Sequence, residues 1–235
     1  MRLLLDFLCR FGWGLSLALV LTPAALVPGG FFRVNLLVIM GLATFAALVA
    51  RTAAPGWSWL APAAAAVVAW IGSVAWLGER RRAGIASCAA CAALLAAAVA
   101  AVAAEPRAAA AALVSGGVTG FVVHAMLLGH WYLNAPGMRV DALRRMIDLA
   151  LGAWGLQAAA SGAALLPWTP PADATAAALL SMRWLAGLVG LPVLLVMARK
   201  TLAIPNTQSA TGILYVACLA AILGELTAQL LAAGA

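Results

Sequence analysis

Arg183 and Glu225 stand inside runs of residues that are otherwise apolar. Counted from one face of a membrane at 1.5 Å per residue, Arg183 lies about 14 Å deep and Glu225 about 10 Å deep. A charge at such depth costs several kcal/mol unless it is paired, protonated or bound to something. If their helices are antiparallel neighbours, the two form an internal pair, which would be either a structural salt bridge or part of a proton or solute route. Alternatively, Arg183 holds an anionic or carbonyl group. Glu225 also closes a stripe of Gln208, Thr211, Tyr215, Cys218, Ile222, Glu225 and Gln229, spaced by three or four residues. That spacing puts them on one face of a helix. Interhelical hydrogen bonds worth about 1 kcal/mol or less account for Gln208 and Thr211. They account poorly for a carboxylate.

A second group centres on His124. Gly117 and Gly120 precede it on the same helical face, and Gly116 with Gly120 forms a GxxxG. The glycines serve either close helix packing or a slot beside His124 for a flat ring. Tyr215 and Asp148 fall at a similar depth from the same side. His, Tyr and Asp at one level are suited to hydrogen-bonding a quinone carbonyl and moving its proton. A histidine simply satisfied in the core is the alternative. His130, with Trp131 and Tyr132, suits the interfacial belt at the end of a span. Asp141, Arg144, Arg145 and Asp148 offer the i,i+4 pairs Asp141–Arg145 and Arg144–Asp148. Gly152, Gly155, Ala159 and Gly162 continue that face as a smooth seam for packing.

Metal and haem chemistry find little support. His124 and His130 are the two histidines of the chain; six residues apart on one helix, they point about 120° away from each other. They cannot ligate one haem together, and a His/Met haem using Met126 or Met182 has nothing further to recommend it. Cys88 and Cys91 form a CxxC inside an apolar run, with no second pair and no nearby His, so packing explains them better than zinc or redox chemistry. No dinucleotide fingerprint, Walker A or HExxH is present.

The elements that carry these residues follow from composition. Of the 235 residues, 66% are hydrophobic and 9% charged, and mean hydropathy is +1.07. A soluble domain this small cannot hide that much apolar surface. Apolar runs of about twenty residues, without the alternation of a barrel, mean membrane-spanning helices. We expect an all-α polytopic bundle of about eight spans, near 7–27, 32–50, 57–77, 84–104, 108–133, 140–166, 174–198 and 207–232. Pro, Gly or charge stands at each break. The start of the chain, with Arg2, an apolar run and Thr22-Pro23, also has some features of a signal peptide. Asp6 and Arg10 interrupt it, and we expect a retained helix.

The loops after the odd-numbered spans hold Arg33, Arg80, Arg81, Arg82, Arg139, Arg144, Arg145, Arg199 and Lys200. The other face holds Arg2, Arg10, Arg51 and Arg107. The positive-inside rule then places both termini outside. The net charge of +7 is accounted for by this placement, without nucleic acid. The high Ala, Arg and Trp content fits a bacterial inner (plasma) membrane.

We expect one membrane domain, with residues 1–105 an apolar scaffold and residues 106–235 the polar-lined, functional half. In number of spans and absence of haem ligands the chain resembles quinone-reactive membrane anchors of the polysulfide-reductase type, a likeness of architecture that no motif carries. The leading functional expectation is a quinone-binding, electron-transport-associated membrane subunit using His124, Tyr215 and Asp148. The second is a small-solute or ion transporter built on Arg183 and Glu225, and the third a structural subunit among other membrane subunits. These differ in what they require. A redox site needs a planar pocket beside Gly117 and Gly120. A transporter needs a cavity reaching Arg183 from one side. A scaffold needs every polar group paired.

Overall fold

Proline and glycine set the ends of the helices. α1 (Arg2–Leu21) stops before Pro23, and α2 (Gly29–Ala53) begins directly after Pro28. α3 (Leu60–Leu77) ends at Gly78, where Glu79 turns the chain with a φ of 56°. α4 is Arg81–Val102, and α5 (Pro106–Asn134) starts on a proline, which has no N–H to leave unpaired in the first turn. α6 is Asp141–Ala163. α7 (Ala174–Thr201) is capped by Asp173, whose side chain accepts from the Ala176 N–H at 2.7 Å. α8 (Thr207–Ala232) is capped by Asn206 through the Ser209 N–H at 3.0 Å.

The computed structural model describes residues 1–53, 56–103, 105–135, 137–163, 171–204 and 206–234. The expected breaks at Pro136 and Pro167–Pro170, and the tail of the sixth span to Leu166, lie outside the described residues, as does Pro205. No strand occurs among the described residues. Seven of the helices are long and apolar enough to cross a bilayer. α6 is of similar length and opens with Asp141, Arg144, Arg145 and Asp148, charges suited to an end at the headgroups. The chain is a helical membrane bundle.

α1 to α4 pack around one another, α2 on α3, α3 on α4 and α4 on α1. α5 is the central helix, packed on α1, α6 and α8, and α8 in turn holds α7. α1 and α5 touch backbone to backbone. A Cβ on Gly14 would lie 1.9 Å from the Gly116 carbonyl oxygen, and one on Gly120 would lie 2.1 Å from the Gly14 carbonyl carbon. Such approach is how helices gain contact in lipid, where apolar burial gives no net drive.

α7 and α8 cross in the same way at Gly187 and Gly224, where a Cβ on either would come within 2.9 Å of the other's Cα. Gly187 lies in a π-helical stretch, Arg183–Gly190, in the middle of α7. Pro192 follows at once and has no N–H for the Leu188 carbonyl, so regular α-helical bonding fails there. Wide turns of this kind are frequent at functional sites, and this one begins at Arg183.

The seam expected on α6 is not packed. Among the described residues, Gly152, Gly155 and Gly162 have no atom from beyond their own stretch of helix within 4 Å of a built Cβ. The main contacts of α6 are with α5 and with the Leu191–Thr201 end of α7. Its far half borders, through Gln157, Ala160 and Ser161, the cavity described next.

Candidate functional site

The ends of α4, α6 and α8 and the starts of α1, α5 and α7 share one face, called here the terminal end. A cavity of about 560 Å³ opens there, bordered by α1, α5, α6, α7 and α8 and the end of α4. Alanine is the commonest residue in its walls, as at Ala108, Ala111, Ala112, Ala160, Ala228 and Ala232. These small side chains leave the volume. Its polar groups are Asp6 and Arg10 from α1, Ser115 from α5, Gln157 and Ser161 from α6, Arg183 from α7 and Gln229 from α8, with Arg2 beside them.

Arg10 organises one wall. Its Nε donates to Asp6 Oδ1 at 2.9 Å, and its Nη2 lies 2.5 Å from Asp6 Oδ2. Its Nη1 donates to Glu225 Oε1 at 2.9 Å and to Ser115 Oγ at 3.4 Å. Gln229 Nε2 donates to the same Glu225 oxygen at 2.7 Å. One guanidinium therefore serves two carboxylates and ties α1 to α5 and α8. Glu225 is only 3% exposed, so this partner is what makes its charge tolerable.

The expected pairing of Glu225 with Arg183 is replaced by the pairing with Arg10. The physical reason is α1, whose close crossing with α5 brings Arg10 alongside α8. Arg183 instead donates to Ser161 Oγ at 2.9 Å. No carboxylate among the described residues comes within 4.0 Å of it, although the charge of Glu225 reaches it. Three buried atoms around this centre have no hydrogen-bond partner: Arg183 Nε, Glu225 Oε2 and Gln229 Oε1. Unpaired buried polar atoms cost about 1–3 kcal/mol each, more when charged, and sites that wait for a ligand hold such atoms.

His124, Tyr215 and Asp148 are not brought together. His124 is fully buried, and its Nε2 lies 2.7 Å from Thr22 Oγ1. The Thr22 N–H bonds the Leu19 carbonyl, which leaves the Ala18 carbonyl for the Thr22 hydroxyl at 2.7 Å. With its proton so used, Thr22 Oγ1 accepts from His124 Nε2–H, and Nδ1 is the free nitrogen, without a partner. Phe31 stands edge-on to the ring at 5.2 Å. The Gly120 side of the expected slot is filled by α1 backbone, and Gly117 has only a Phe121 ring atom, at 4.0 Å.

Tyr215 is 46% exposed, with its hydroxyl 3.2 Å from His130 Nδ1. Asp148 pairs with Arg199 at 2.7 Å, and Asp141 with Arg139 at 2.8 Å. The pairs expected along α6, Asp141–Arg145 and Arg144–Asp148, do not form. The end of α7 takes their place, because Arg144 donates to the Leu202 carbonyl there and Arg199 faces Asp148.

Thr211 is buried, its hydroxyl donating to the Thr207 carbonyl at 2.7 Å, and a Cβ on Gly129 would meet that hydroxyl at 2.6 Å. Gln208 lies at the opposite end of α8 from Gln229. There, with Tyr132, Leu133, Ile204, Asn206 and Thr207, it lines a more open recess.

Asp6 and Arg10, by sequence interruptions of the first span, are functional candidates in the structure. Their signal was present: an i,i+4 Asp–Arg pair inside an apolar helix is itself an intramembrane ionic group. No known family, curated protein or solved structure matches the chain.

Proposed function

We propose that this protein is a membrane carrier for a small polar solute, which binds in the cavity at the terminal end against Arg183. The observation that carries the reading is a cavity that reaches an intramembrane arginine from one face, with a carboxylate-bound arginine across it. Its volume is in the range of small-molecule sites, about 300–1,000 Å³. α8 links this cavity to the recess at the other face, since Gln229 lines the first and Gln208 the second. The π-helical stretch that starts at Arg183 is of a kind frequent at functional sites.

The quinone reading loses its slot to the α1 backbone and finds Tyr215 and Asp148 engaged elsewhere. The scaffold reading requires all polar groups to satisfy one another, and three around the centre do not.

A carrier must expose its site to each face in turn. Ala160→Cys, on the cavity wall, is therefore expected to react with a membrane-impermeant thiol reagent from either side of sealed vesicles. The native cysteines, Cys9, Cys88, Cys91 and Cys218, are all buried and free and give little background. Labelling from one side only would refute alternating access.

A further inference from the structure

Positive charge is in excess on the walls of the cavity. Three arginines line it, Arg2, Arg10 and Arg183, against a single carboxylate, that of Asp6. When Glu225, held by Arg10 behind the wall, is counted too, one positive charge is still left over. The Asp6 carboxylate is already committed, because Arg10 engages both of its oxygens. Arg2 and Arg183 have no carboxylate within 4.0 Å among the described residues. Arg2 is exposed, whereas Arg183 is half-buried in the middle of α7, where an unbalanced charge is expensive. Low-dielectric walls bearing charge of one sign concentrate counter-ions. The cavity therefore draws anions and repels cations.

The neutral groups beside Arg183 extend the donor set. Arg183 Nη2 donates to Ser161 Oγ at 2.9 Å. Ser161 must turn its own hydrogen away from the guanidinium, and no hydrogen bond among the described residues uses that hydrogen. Gln157 stands one turn before Ser161, on the same face of α6, half-buried on the cavity wall. A guanidinium, a hydroxyl and an amide N–H together suit the oxygens of one anionic group. Leu3, Val102 and Val114 join the alanines in the rest of the lining. An inorganic ion would give up hydration against such walls without compensation. An organic anion places its apolar body there.

We infer that the solute is an organic monoanion, a single anionic group on a small apolar body. Its oxygens sit on Arg183, Ser161 and Gln157, and its body lies along the alanine walls. One negative charge balances the one left over. This inference rests on the carrier reading for its cavity and adds the class of solute. A free carboxylate and an anionic phospholipid share this chemistry.

The test is equilibrium binding to the full chain purified in an uncharged detergent. The probes are 4-methylpentanoate, its uncharged amide, the cation 3-methylbutylamine, and acetate, which lacks the apolar body. We expect 4-methylpentanoate to bind about tenfold or more tightly than each of the other three. Dihexanoyl phosphatidylglycerol, with dihexanoyl phosphatidylcholine as its control, stands for the lipid. If the phosphatidylglycerol alone outbinds 4-methylpentanoate, the anion is a lipid headgroup; the reverse order points to a free acid. Arg183→Gln should weaken binding of the preferred anion about tenfold or more, and Gln157→Leu about threefold or more. Because wild-type selectivity is read directly, a variant that misfolds does not remove the test.

Equal binding of 4-methylpentanoate and its amide, tighter binding of 3-methylbutylamine, or no binding of any probe overturns the inference. Acetate bound as tightly as 4-methylpentanoate overturns it too, since the apolar walls would then have no role. If Ala160→Cys still labels from both faces in any of these cases, the carrier reading stands and only the solute class is wrong. Selective anion binding with labelling from one face keeps the site and removes the carrier.

Discussion

Gly120→Val is expected to lower the stability of the folded bundle by about 3 kcal/mol or more, at the upper end of what overpacking costs. A Cβ there would stand 2.1 Å from the Gly14 carbonyl carbon and 2.4 Å from its Cα. Backbone cannot turn aside as a side chain can, so α1 and α5 must separate. Arg10 lies one helical turn from Gly14, and the separation pulls it from Glu225. The damage therefore reaches the site as well as the packing. Gly152→Ala is the control, because no other element of the described residues lies within 4 Å of a Cβ there. It should be neutral or stabilising by up to about 1 kcal/mol, as alanine is the better helix former. Thermal unfolding in detergent, followed with a thiol-reactive dye, measures both, since all four cysteines are buried when the chain is folded.

Arg10→Leu is expected to destabilise by about 3–5 kcal/mol, the cost of stranding a buried charge. Glu225 would keep only the Gln229 amide as a partner, and Asp6 would lose its bidentate contact. The prediction is sharpened by its rescue. Adding Glu225→Gln to Arg10→Leu should recover more than half of the loss, because the unpaired charge, not the missing contact, is what costs. Simple additivity of the two changes in the same unfolding assay would show that the pair is not coupled.

The membrane bundle was legible because its determinants are local. Runs of apolar residues, with Pro, Gly or charge at each end, fix a spanning helix whatever its neighbours do. The polar stripe of α8 was legible for the same reason, and the buried Thr211, Glu225 and Gln229 lie on it. Which helices meet was not legible. Glu225 finds Arg10 across 215 positions of sequence, a contact that depends on Gly14 and Gly116 letting α1 and α5 touch.

The GxxxG of α5 was visible as a motif, but its partner was not. Of its two readings, close helix packing and a slot for a ligand, the first holds at Gly116 and Gly120, where another helix lies against the backbone. On α6 the glycines expected to pack meet none of the other described residues. Spacing along one helix names a face; it does not name what lies opposite. Asp6 and Arg10 show a further limit, because α1 belongs to the apolar half of the chain by composition yet supplies half of the ionic centre.

The most direct test of the account asks whether water fills the cavity beside Arg183 and Gln229. A nitroxide attached at Ala228→Cys, on the cavity wall, can be examined by deuterium electron spin-echo modulation after transfer to D₂O. Nitroxides at Gly56→Cys, in a connecting turn, and at Val67→Cys, on the exposed face of α3, set the wet and dry limits. The account predicts modulation at Ala228→Cys close to that of the turn. Modulation as weak as at Val67→Cys would mean that lipid or protein fills the space, and that Arg183 faces no aqueous site.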